Sequence, residues 1–116
     1  MRTTVDKGAS AEAQAVELLI RRGYTIVERN FRSKAGELDI VAWHGDVLCF
    51  VEVRSRADGE HGHAAETVGP AKQRQVSRVA MSYIALRNPR FGRSRVDVVA
   101  ITGDQVDLIQ DAWRVA

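Results

Sequence analysis

The chain has 116 residues, 45% of them hydrophobic and 28% charged, which excludes disorder and collagen-like repetition and leaves room for a single domain, residues 1–116. Its one cysteine, Cys49, excludes a disulfide framework and a Cys-based zinc site and points to a reducing compartment. The net charge of +2 hides an asymmetry, because residues 54–95 hold nine Lys and Arg against three Asp and Glu, a local +6, between two net acidic flanks.

Such a basic segment beside carboxylates suits a polyanion partner, above all nucleic acid, or else a solvated Arg-rich helix. No apolar run reaches membrane-spanning length, and the opening seven residues lack the hydrophobic stretch of a signal peptide. The expectation is a soluble cytoplasmic protein without a membrane partner.

In chain order, residues 10–22 carry Ala15, Val16, Leu19 and Ile20 at helical spacing, and Gly23 ends that helix. Residues 24–31, 37–44 and 47–54 read as three strands, with His44-Gly45-Asp46-Val47 as a tight hairpin turn. After a polar, His- and Gly-containing loop, Pro70 sits where a second helix begins. Val76, Val79, Ala80, Tyr83 and Ile84 give that helix one buried face, and it ends near Asn88-Pro89. Residues 95–101 form a fourth strand, Thr102-Gly103-Asp104 turns it, and residues 105–109 return. The order αβββαββ implies a central mixed sheet flanked by helices. The long connection between strands three and four makes those two strands parallel neighbours, which is an α/β fold.

Two strands carry acids inside apolar runs: Gly36-Glu37-Leu38-Asp39-Ile40-Val41 and Phe50-Val51-Glu52-Val53-Arg54. With Gly45-Asp46 as a two-residue turn, His44 faces Val47, and counting back sets Asp39 opposite Glu52 and Glu37 opposite Arg54 on one sheet face. Cross-strand partners have Cβ atoms about 5 Å apart, and two carboxylates so placed repel and need a cation or a shared proton. Mg²⁺, typically bound by one or two carboxylates together with water and phosphate oxygens, suits them. The alternative is an ordinary Glu37–Arg54 ion pair with Asp39 at an exposed edge. Glu12, just before Ala15 and Val16 on the first helix, and Gln73, just before Val76 on the second, should also turn toward the sheet.

Taken together, Glu12, Gly36-Glu37-Leu38-Asp39, Phe50-Val51-Glu52-Val53-Arg54-Ser55-Arg56, Lys72-Gln73 and Arg95-Val96-Asp97-Val98-Val99-Ala100 resemble the YraN family of bacterial endonuclease-like proteins. That family is similar to the restriction-endonuclease-like PD-(D/E)XK superfamily, and particularly to the archaeal Holliday-junction resolvases. The resemblance implies a restriction-endonuclease-like fold and Mg²⁺- or Mn²⁺-dependent hydrolysis of phosphodiester bonds in structured or branched DNA. Glu12, Asp39 and Glu52 would be metal-binding acids, with Arg54 at the superfamily's catalytic Lys position and Gln73 as the accessory polar residue. A two-fold dimer, as in the resolvases, would suit paired cuts. The departure is chemical: Arg54 stays protonated and can orient groups and neutralise charge, but it cannot take a proton from water as a lysine can.

Arg54, Arg56, Lys72, Arg74 and Arg78 flank this site and are expected to contact phosphates, positioning nucleic acid without reading its sequence. Arg87, Arg90, Arg93 and Arg95 are expected to solubilise the far end. His61-Gly62-His63 reads as a solvated loop, His44 as a turn residue, Cys49 as a small buried hydrophobe and Trp43 as cover for the core. Two other functions compete with the nuclease: a catalytically inactive nucleic-acid-binding module of the same fold, and a protein-interaction domain with a basic helix.

Overall fold

The computed structural model describes residues 10–56 and 68–115; the His61-Gly62-His63 loop and the opening segment lie outside the described residues. The chain forms α1 (Ala11–Arg21), β1 (Tyr24–Ser33), β2 (Gly36–His44), β3 (Val47–Arg56), α2 (Pro70–Arg87), β4 (Arg93–Thr102) and β5 (Gln105–Trp113). Among the described residues no helix is long and apolar enough to cross a membrane.

The local signals explain where the helices start and stop. Ser10 Oγ accepts the Ala13 N–H at 3.0 Å and caps α1. Pro70 occupies the first position of α2, where its missing N–H costs nothing, and Asn88 closes that helix in the left-handed conformation at φ 49°. The buried face of α1 is Ala15, Leu18 and Leu19, whereas Ile20, expected on the stripe, is 57% exposed. Leu18, Leu19 and Ile20 are three apolar residues in a row, so spacing allowed either neighbour of Leu19 to face inward; packing selected the i, i+3, i+4 set that starts at Ala15.

The five strands make one sheet in the order β1-β2-β3-β4-β5. Three neighbouring pairs are antiparallel, and β3 runs parallel to β4. A parallel pair needs a crossover, and α2 lies within it. The architecture is therefore α/β, with a mixed five-stranded sheet and two helices.

Each helix covers one face of this sheet. Ala15, Leu18 and Leu19 of α1 pack with Ile40, Ala42, Cys49, Val51 and Val99. Val76, Val79, Ala80 and Tyr83 of α2 pack with Leu48, Phe50 and Val96, and Trp43 joins the margin of that cluster. Alternation along β3 thus assigns Cys49 and Val51 to the α1 face and Leu48, Phe50 and the following Glu52 to the α2 face. Cys49 is the small buried hydrophobe expected, and burial first, then the Asp97 charge, pushes its thiol up to about 12.

Asp97, fully buried on the α1 face, organises a polar network beneath that helix. It accepts from the Tyr24 hydroxyl at 2.6 Å, from Arg95 Nε at 2.9 Å and from the Asp111 N–H at 2.8 Å. The Tyr24 oxygen in turn accepts from Gln110 Nε2 at 3.0 Å, and its ring stacks on His44 at 4.3 Å. Burial and the bond to Asp97 push the Tyr24 phenol up to about 12. Burial works against the Arg95 charge, but its bonds to Asp97 and Tyr24 more than compensate and raise its pKa.

This corrects two expectations. Arg95 does not solubilise the far end, and His44, besides flanking the turn, lies 2.8 Å from Arg95 through Nδ1. Arg87 stays exposed at the surface, where it forms a two-point pair with Glu28 at 3.0 and 2.8 Å.

Replacing Asp97 leaves a half-buried guanidinium, a buried hydroxyl and a strand N–H without their acceptor. Asp97→Ala is expected to cost about 3–5 kcal/mol in urea unfolding, and Tyr24→Phe, which takes only one of the donors from the carboxylate, about 1 kcal/mol. Equal costs would show that the network is not centred on the carboxylate.

Candidate functional site

The site begins at the β2–β3 hairpin. Gly45, at φ +62°, supplies the first central residue of the two-residue turn. From there the register runs His44↔Val47, Trp43↔Leu48, Ala42↔Cys49, Val41↔Phe50 and Ile40↔Val51. The next step would set Asp39 opposite Glu52, but the ladder ends one pair earlier. Instead, Asp39 Oδ2 accepts the Val53 N–H at 2.8 Å, so a side-chain carboxylate stands in for a backbone acceptor and the two strands part.

The splay explains a second correction. Glu37 does not meet Arg54; its Oε2 lies 2.7 Å from Nε of Arg32, its register partner on β1. Gly36 opens this stretch at φ +142°, and a Cβ there would come within 2.7 Å of the Gln75 amide. The acidic strand therefore enters beneath α2 at a place where only glycine fits.

Glu52 lies on the α2 face and is only 3% exposed. Lys72, near the start of α2, brings Nζ to 3.2 Å from Glu52 Oε2, and Arg54 brings a guanidinium nitrogen to 3.7 Å from the same oxygen. Burial, and next the Asp39 charge, push the Glu52 carboxyl up to about 7, and Lys72 opposes the shift. A buried carboxyl thus has a half-buried carboxylate on one side and Lys72 and Arg54 as cation neighbours.

The remaining residues singled out in the sequence divide. Glu12 does turn toward the sheet, but Oε1 is held by Arg29 at 2.7 and 2.9 Å and by Asn30 at 3.1 Å, all from β1. Gln73 donates to the Val68 carbonyl at 3.1 Å. Arg56 is exposed at the end of β3, and Arg74 and Arg78 are exposed on α2. Among the described residues no group of three or more His, Cys, Asp or Glu side chains is gathered at metal-binding spacing. Asp39 and Glu52 are the two candidate acids that lie side by side, and they offer oxygen donors, the kind a hard dication takes.

The family model described as uncharacterised protein family UPF0102 matches residues 11–101. The chain belongs to the UPF0102 family. A UPF0102 protein of Chlorobium limicola (strain DSM 245 / NBRC 103803 / 6330) is 41% identical over 100 residues, covering 86% of this chain and 78% of that protein. One from Syntrophus aciditrophicus (strain SB) is 37% identical over 113 residues, covering 94% and 89%. One from Nitrosomonas eutropha (strain DSM 101675 / C91 / Nm57) is 38% identical over 114 residues, covering 97% of each. The YraN resemblance seen in the sequence falls within this family.

Glu12, Asp39, Glu52, Arg54, Lys72 and Gln73 all lie inside the UPF0102 match, whereas Trp113 lies beyond it. Sequence reasoning named Lys72 for phosphate contact and missed its direct contact with Glu52. The signal was available in its position one residue before Gln73, in the opening turn of a helix that crosses the acidic strands. Asp97 was missed as a network centre even though it interrupts the run Val96-Asp97-Val98-Val99 much as Asp39 and Glu52 interrupt theirs.

Because Glu52 holds its proton more tightly folded than unfolded, its effect on stability has a definite sign. As pH rises from about 4.5 to about 7 the unfolded state loses this proton first, so the folded state of the metal-free protein loses stability across that window and levels off above it. Glu52→Gln should remove a decline on the order of 1–3 kcal/mol. Paired urea titrations at the two ends of the window, in EDTA, measure it. An identical pH slope in both proteins would place the shift elsewhere.

Proposed function

We propose that this UPF0102 protein is a metal-dependent endonuclease-like enzyme acting on phosphodiester bonds of structured DNA, with Asp39 and Glu52 as the pair that holds Mg²⁺ or Mn²⁺. The observation that carries the reading is the buried Glu52 carboxyl beside the half-buried Asp39 at the point where β2 and β3 part, bordered by Lys72 and Arg54. A structural ion pair alone would not call for two acids side by side. Desolvated like charges are costly unless a proton or a cation joins them, and a dication does so at neutral pH.

A bound dication would supply the positive charge that makes water nucleophilic near neutrality and offsets charge on the phosphate. The rest falls to the chain's own groups. Asp39 is anchored by the Val53 N–H through one oxygen, which aims its other oxygen. Glu52, held from two sides by cations, is fixed in orientation. Arg54 neutralises the charge that builds on the scissile phosphate. Lys72 supports the reading most directly, because its ammonium beside Glu52 offers the lysine that β3 lacks, entering from α2 instead of from the strand. There it can orient the attacking water and donate to a phosphate oxygen. The restriction-endonuclease-like fold belongs to the same proposal, supported by the acids on adjoining strands and the helix-borne polar residues. Glu12, tied to Arg29 and Asn30, takes the part of bracing β1 against α1 in this scheme; as a third metal-binding acid it would first have to leave those partners.

The expected result is cleavage of branched, flapped or single-stranded DNA in Mg²⁺ or Mn²⁺. Asp39→Ala should lower the rate beyond detection and Lys72→Ala should lower it about 10²–10³-fold, the usual loss on removing a group that stabilises transition-state charge. Intact substrates alongside salt-sensitive binding would overturn the enzyme reading in favour of a nucleic-acid-binding module, and absence of both would favour a protein-interaction domain. A separate measurement needs no turnover: Mn²⁺ should raise the melting temperature of the wild-type protein but not that of Glu52→Gln, since a ligand stabilises the state that binds it.

A further inference from the structure

We infer that the groove between α2 and β5 is a seat for unpaired nucleotides, leading a single strand away from the Glu52 site. The inference deepens the nucleic-acid reading above and rests on it.

Two adjoining cavities make the groove. The inner one, of about 200 Å³, is floored by Val98, Ile109 and Trp113; the outer one, of about 480 Å³, runs past Trp113 to Met81, Arg74 and Arg78. Gln73 and Trp113 line both, so the two are continuous. The inner end adjoins the candidate site, because Val98 in its floor is the β4 register partner of Glu52, and partners in a parallel pair share a sheet face. A strand with its scissile phosphate at Glu52 would then run beside Val98 and Trp113 toward the outer face of α2.

The chemistry along that path suits bases and phosphates together. Val98, Ile109, Trp113 and the half-exposed Met81 provide an apolar floor. The Trp113 indole N–H donates to Ser77 Oγ at 3.2 Å, which fixes the ring instead of leaving it to rotate. Arg74, Ser77, Arg78 and Met81 follow the i, i+3, i+4, i+7 spacing that puts them on one helix face, turned away from the buried stripe of Val76, Val79 and Ala80. Arg74 and Arg78, four residues apart, stand about 5–6 Å apart at Cβ, and among the described residues neither has an ion-pair partner. An aromatic floor with a cationic rim is the layout by which proteins hold single strands, the bases stacking and the backbone tracking the charges. Duplex DNA keeps its bases inside and could use only the rim. The other large cleft, at the start of β4, lacks this character, since Arg95 and Arg114 there are held by Asp97 and Asp111.

The test is fluorescence anisotropy of labelled oligothymidylate and of a blunt duplex of the same length, titrated with the whole protein in EDTA across a salt series. The single strand is expected to bind about tenfold or more tightly than the duplex. The double variant Arg74→Ala/Arg78→Ala, at exposed positions with no packing role, should weaken single-strand binding about tenfold and reduce its salt slope by about 1.4, the value for two phosphates on a single strand. Trp113→Phe, which keeps a ring in the floor, should cost less than Trp113→Leu, which does not. Equal binding of strand and duplex, or an unchanged salt slope in the double variant, would overturn the groove. If Asp39-dependent cleavage persists while these variants bind like wild type, the groove fails and the nuclease reading stands. If no oligonucleotide binds at all, both fail.

Discussion

The structure around the candidate site depends on a single substitution of partners: the Val53 N–H is met by the Asp39 carboxylate instead of by a backbone carbonyl of β2. A β-ladder continues as long as each N–H finds a carbonyl, because an unsatisfied buried donor is costly. Once a side chain supplies the acceptor, the strands can separate without that cost. The separation lets Asp39 reach across to β3, brings it against Glu52 and leaves Glu37 to pair with Arg32. Without that bond, Asp39 and Glu52 would be ordinary cross-strand neighbours, and nothing would hold the first acid at the second.

The two faces of the sheet solve the problem of buried charge differently. On the α1 face, Asp97 is surrounded by donors from Tyr24, Arg95 and Asp111, and every contact favours its role as an acceptor. That arrangement is finished and suits stability. On the α2 face, Glu52 has another acid beside it as well as two cations, and its proton affinity is raised. Such a group gives up stability for a local field that a ligand can relieve, which is the usual mark of a place where chemistry or binding occurs. Both acids interrupt apolar β runs in sequence, and only their partners tell them apart.

The position of α2 links these features. The same helix seals the core with Val76, Val79 and Tyr83, meets Gly36 closely through Gln75, sets Lys72 on Glu52 and presents Arg74 and Arg78 outward. Four faces of one helix thus serve packing, strand entry, site charge and surface charge, and moving it would disturb all of them together. This explains how a chain whose β3 offers Arg54 can nonetheless place a lysine at its acids.

Much of this was legible in the residues themselves. Period-two and period-3.6 patterns, Pro70, Gly23 and the Gly45-Asp46 turn located the strands and helices, and counting from that turn correctly aligned the hairpin as far as Ile40 and Val51. These features are local: each depends on residues a few positions apart, and their energetics are decided within a turn or a strand pair. The termination of the ladder at Asp39, the inward choice of Leu18 over Ile20, the recruitment of Tyr24 to Asp97 and of His44 to Arg95, and the contact of Lys72 with Glu52 depend on groups brought together from distant parts of the chain. No spacing rule encodes which long side chain reaches which buried carboxylate. Tertiary packing decided that, because only in the folded chain does desolvation make the choice of partner worth several kcal/mol.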